Sequence, residues 1–123
     1  MTDPAILDRS ALKQILEDTG GDPEFIAELI VDYLDNTRTL LADLADSCAL
    51  GDLDRAGRAA HTIKATSAAI GARTLSALAA QTEAKCQTGD ILDVRNRTSA
   101  LQDAFKLVEL VLTQDTSGKT TGS

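Results

Sequence analysis

The chain contains one histidine, His61, with Lys64 three residues after it. An imidazole is largely uncharged at neutral pH, so its ring nitrogen can attack phosphorus without a dedicated base. In a helix Lys64 stands one turn from the ring and can set its ammonium against negative charge carried on an imidazole nitrogen. The pair suits a phosphoryl acceptor, and the plain alternative is a surface histidine beside a solubilising lysine. The neighbours favour the acceptor. Ala60 and Ile63 belong to an apolar seam, which turns His61 by about 100° to the solvent edge of its helix. On that face lie Gly57 at i−4, Ala65 at i+4 and Ala68 at i+7. A mid-helix glycine costs ~1 kcal/mol relative to alanine, and side chains this small leave the ring open to something as large as another protein. Gly57, Arg58, Ala65 and Ala68 are the expected docking surface.

The elements that must hold this site follow from period and punctuation. Ile6 and Leu7 are expected as a lid on the core, and Ser10 as the cap of a short helix carrying Leu12, Ile15 and Leu16, which Gly20 and Gly21 end. Asp22-Pro23-Glu24 opens a long helix that runs to about Leu50. Its apolar band is Phe25, Ile26, Leu29, Ile30, Tyr33, Leu34, Leu40, Leu41, Leu44, Ala45 and Cys48. Gly51 closes it and Asp52 caps the next, where Leu53, Ala56, Ala60, Ile63, Ser67 and Ile70 step by three and four. Gly71 breaks the pattern. Leu75, Leu78, Ala79, Thr82 and Cys86 form the following stripe as far as Gly89, and Asp90 caps a last helix built on Val94, Thr98, Leu101, Phe105, Val108 and Leu112. Residues 115–123 are polar and aperiodic and are expected to form a disordered tail behind one domain over 1–114. The fold class is all-α: an antiparallel four-helix bundle with a short additional N-terminal helix.

Composition narrows the chemistry. The 123 residues carry 12 Lys and Arg against 19 Asp and Glu, a net charge of −7, which repels nucleic-acid phosphates and anionic headgroups. No stretch approaches ~18 consecutive apolar residues and no signal peptide opens the chain, so a cytoplasmic protein is expected. Phosphate-binding glycine loops, GxSxG, HExxH and paired Cys/His motifs are missing, so neither a metal nor a cofactor is expected. Cys48 and Cys86 read as reduced, buried helix residues.

The run His61-Thr62-Ile63-Lys64-Ala65-Thr66-Ser67-Ala68-Ala69-Ile70-Gly71-Ala72, with Leu75 beyond it, resembles the signature of histidine-containing phosphotransfer (HPt) domains. That signature reads His-x-Leu-Lys-Gly-Ser, a few small or apolar residues, Gly, and Leu four further on. Ile6-Leu7-Asp8, Asp22-Pro23-Glu24-Phe25 and Glu28-Leu29-Ile30 are similar to the family's upstream helices, so the likeness covers about residues 5–112. It implies that His61 relays phosphoryl groups between aspartates of response-regulator receiver domains, with a hybrid sensor histidine kinase upstream. Lys64 then lies near the phosphoryl group, and Gly71 ends the histidine helix as a structural residue. The protein would be a monomeric carrier without turnover of its own, the receiver supplying magnesium and most of the catalysis. Ala65 departs from the family's glycine and adds one methyl on the docking face. In some members a Gln on the next helix bonds the imidazole; here that stretch offers Gln81 and Glu83. Glu83 would orient the ring and raise its basicity, whereas a solvated helix position is the ordinary alternative. Two other readings compete: a non-phosphorylated helical adaptor or inhibitor docking on a kinase or regulator, and the phosphorylated domain of a chemotaxis-type kinase. The latter would need an ATP-binding domain downstream, and Met1 with the polar tail leads instead to the expectation of an independent protein.

Overall fold

Aspartates and glycines set most of the helix boundaries. The computed structural model describes the backbone of residues 6–121 and side chains as far as residue 113. Helix α1 (Arg9–Asp18) is capped by Asp8, whose carboxylate accepts from the Ser10 amide at 3.0 Å and from the Ser10 hydroxyl at 2.6 Å. The cap therefore sits two residues before the one read from sequence, because a charged acceptor satisfies a free helix amide better than a hydroxyl does. Both bonds hold the Asp8 carboxyl below its ordinary range. Asp22 caps α2 (Pro23–Leu50) with Pro23 in the first turn, and Asp52 caps α3 (Leu53–Ile70). Helix α4 (Arg73–Thr88) starts without a side-chain cap. Asp90 accepts from the Asp93 amide at 3.1 Å at the head of α5 (Ile91–Thr121).

Helices α2, α3, α4 and α5 pack in a ring, α5 closing on both α4 and α2, while α1 lies across α2 and α3. Two-residue links between consecutive long helices force them antiparallel. Leu44, Ile63, Leu75, Val94, Leu101 and Leu112 are wholly buried in one core, and Leu7 joins them as expected, with Ile6 packed against it. Burial of each such side chain contributes roughly 1.5–3 kcal/mol. Phe25 does not join the core: it is 42% exposed. Helical side chains lean toward the N-terminus, and a residue in the first turn of α2 has no preceding turn to lean on.

Buried hydroxyls are satisfied within the bundle. Thr37, Ser47, Thr82 and Thr98 each donate to the carbonyl four residues earlier, and Tyr33 and Ser67 bond each other at 2.7 Å between α2 and α3. Helix α5 continues through residues 115–121, where the sequence suggested a tail. No proline interrupts it, and a running helix gains a hydrogen bond for each residue it adds. Residues 122–123 lie outside the described residues.

One glycine fixes the end of the histidine helix. Gly71 has φ +90°, and its carbonyl accepts from the Asp8 amide at 2.7 Å. A Cβ at this position would stand 2.3 Å from the Asp8 carbonyl oxygen. Gly51 has a similar φ of +71° but open space around it. Gly51→Ala should therefore cost roughly 1–2 kcal/mol, the conformational penalty alone, and Gly71→Ala clearly more. Urea denaturation of both variants checks this; equal losses would show that the Asp8 contact adds nothing.

Candidate functional site

Along α3 the buried residues are Ala56, Ala59, Ala60, Ile63, Ser67 and Ile70, which turn His61 outward with its side chain 60% exposed. Ala65 and Ala68 beyond it are exposed and small, and Arg58 is exposed one turn before it. Gly57 is placed differently. It is half-buried against α4, where an added Cβ would come 3.4 Å from the Cys86 Cβ, so it forms the floor of the site and not its rim. His61, Arg58, Gly57, Asp54, Glu83 and Cys86 all line one open cleft of about 490 Å³ between α3 and α4. Sequence reasoning did not place Cys86 there; it is a free, buried thiol, as is Cys48, and burial pushes the Cys86 thiol up from its ordinary value.

Glu83 organises the site. One of its carboxylate oxygens lies 2.8 Å from His61 Nδ1 and the other 2.8 Å from Lys64 Nζ. Gln81, the other residue considered for this place, instead accepts from the Arg97 guanidinium at 2.6 Å on the α5 side of α4. An ionised carboxylate only accepts hydrogen bonds, so the ring must donate from Nδ1, which leaves Nε2 as the nitrogen with the free lone pair. The hydrogen bond to Lys64, and then that to His61, hold the Glu83 carboxyl below its ordinary 4.5, against the opposing effect of partial burial. Among the described residues no three His, Cys, Asp or Glu side chains come together as metal ligands. No helix of the described residues is long and apolar enough to cross a membrane.

An outward histidine with one nucleophilic nitrogen, an ion pair beside it and small side chains around it is equipped to carry a group between proteins. The family model described as the Hpt domain matches residues 28–113, well over half of the chain. This chain belongs to the Hpt domain family. Hpt domains are phosphocarrier modules of phosphorelays that interact with receiver domains and are not independent enzymes. No curated protein and no solved structure matches this Hpt domain. The match spans His61, Lys64, Gly71 and Glu83, whereas α1 and the Asp8 cap precede it.

The lowered Glu83 value gives a pH dependence of definite sign. A carboxyl lowered by folding contributes stability above its ordinary value, and that contribution is lost as pH falls from about 4.5 through the lowered value. Carbonyl-carbon NMR titration should show Glu83 titrating below 4.5. Lys64→Ala should move it back upward further than His61→Gln does, and the opposite ranking would put the His61 bond first.

Proposed function

We propose that His61 is the phosphoryl acceptor of this Hpt domain, charged by a receiver-domain aspartyl phosphate and discharged to a second receiver. The observation that carries this reading is the bond between His61 Nδ1 and Glu83, which commits the ring to nucleophilic attack through Nε2 on an exposed face. In the step, the acyl-phosphate P–O bond breaks with its electron pair returning to the donor carboxylate, and a P–Nε2 bond forms. Nδ1 keeps its proton, so the ring becomes a phospho-imidazolium whose positive charge falls against Glu83. Lys64, one turn from His61, supplies a cation for the incoming phosphoryl oxygens. The receiver contributes the magnesium ion and most of the transition-state stabilisation, and this chain contributes aim and one positive charge.

Ala65, Ala68 and the exposed stem of Arg58 form the docking rim in this reading, supported by their exposure around the ring. Exposed charge pairs contribute only ~0–1 kcal/mol, so docking rests on small and apolar surface and is short-lived. The reading extends to a monomeric carrier in the cytoplasm with a hybrid sensor histidine kinase upstream.

His61→Gln should abolish labelling by a cognate phosphorylated receiver while circular dichroism shows the helices intact; full labelling of that variant would refute the assignment and favour a non-phosphorylated adaptor. Lys64→Ala should slow transfer by tenfold or more, a loss of about 1.4 kcal/mol of transition-state stabilisation, with a smaller change in receiver affinity. An unchanged rate removes Lys64 from the chemistry.

A further inference from the structure

Glu83 brings a full negative charge to a place where ring orientation needs only an acceptor oxygen, since a glutamine could accept from Nδ1 equally well. The charge matters once the ring is phosphorylated. A phosphoryl group leaves Nε2 readily while Nδ1 is protonated, because the ring then departs as neutral imidazole. After loss of that proton it would have to depart as an imidazolate anion, a far poorer leaving group.

The titratable and charged groups facing the ring are Glu83 and Cys86 from α4 and Asp54, Arg58 and Lys64 from α3. Among the described residues, no side chain of α1, α2 or α5 lines the cleft. The hydrogen bond at Nδ1 is to Glu83. Lys64 partly neutralises the same carboxylate through its second oxygen. A phosphoryl dianion on Nε2 would draw the Lys64 ammonium to itself and leave the carboxylate to the ring.

We propose, on the basis of His61 as the phosphorylated residue, that Glu83 is a positioning residue that keeps Nδ1 of the phosphorylated ring protonated and so holds the phosphoryl group in its transferable form. When the group departs, the P–Nε2 bond breaks and its electron pair becomes the Nε2 lone pair. A P–O bond forms to the acceptor carboxylate or to water, and the Nδ1 proton stays where it is. No proton has to move onto or off the ring during transfer; when water is the acceptor, it gives up its own proton to the solvent or the phosphate formed.

The test needs no receiver. The full chain is treated with phosphoramidate, whose N–P bond breaks as the P–Nε2 bond forms and ammonia leaves. Release of the phosphoryl group to water is then followed by phosphorus NMR across a pH series for wild type, Glu83→Gln and, as control, His61→Gln. In the wild type the alkaline limb, where release slows, should lie about one pH unit above that of Glu83→Gln, the size expected for an opposite charge in contact with the ring. Nitrogen NMR should place the loss of the Nδ1 proton at the same pH as each limb. Coincident limbs would show that Glu83 only orients the ring and would overturn the proposal. Should Glu83→Gln take no label, the wild-type limb is compared with that of free Nε2-phosphohistidine: displacement to higher pH supports the proposal and coincidence overturns it. A wild type that takes no label, or a His61→Gln variant that takes as much, would instead overturn His61 as the acceptor.

Discussion

Helices that meet through alanine and glycine can bring their axes closer than a leucine seam allows, and α3 and α4 meet in this way. Ala56 and Ala60 of α3 and Ala79 of α4 are fully buried, and Gly57 leaves little more than van der Waals space to the Cys86 side chain. A glutamate side chain is short. It reaches a histidine and a lysine on the neighbouring helix at once because the two backbones are held near each other. The hydroxyl of Ser76 donating to the Lys64 carbonyl at 2.8 Å marks the same close spacing nearer the Gly71 turn. The site is thus a product of small residues in the seam as much as of the polar residues on display.

The three polar groups form an arrangement with more specificity than strength. With His61 mostly exposed and Glu83 and Lys64 partly so, water screens the charges, and their value to the fold is small. Their geometry, in contrast, decides which ring nitrogen carries the proton. Contacts that contribute little to stability can exchange partners without disturbing the bundle, and a carrier that gains and loses a charged group needs this property. The packed core below has its hydroxyls bonded back to their own helices and does not depend on these surface contacts.

Most of the architecture was legible because its signals are local. Asp22, Pro23, Asp52, Gly51, Gly71 and Gly89 act within one turn of where they stand, and the three-and-four spacing of the seam placed His61 outside it. The choice between Gln81 and Glu83 was not legible. They flank buried Thr82 by about 100° on either side, so both border the seam, and only the side on which α3 lies separates them. That depends on the handedness of the bundle, which no spacing along one helix records. Gly57 was misplaced for a related reason: it was judged by its distance from His61 along one helix, whereas its neighbour across the interface is Cys86. Ser10 and Phe25 failed at helix ends, where one residue of displacement changes which group caps and which side chain finds cover.

The bond between the Asp8 amide and the Gly71 carbonyl ties the segment just before α1 to the far end of the histidine helix, and Leu7 beside it is almost completely enclosed. The family match begins only at residue 28. The packed unit thus extends beyond the stretch that the family model matches: a fragment trimmed to residues 28–113 would keep His61, Lys64 and Glu83 yet lose a plug from its interior and the latch that closes over it.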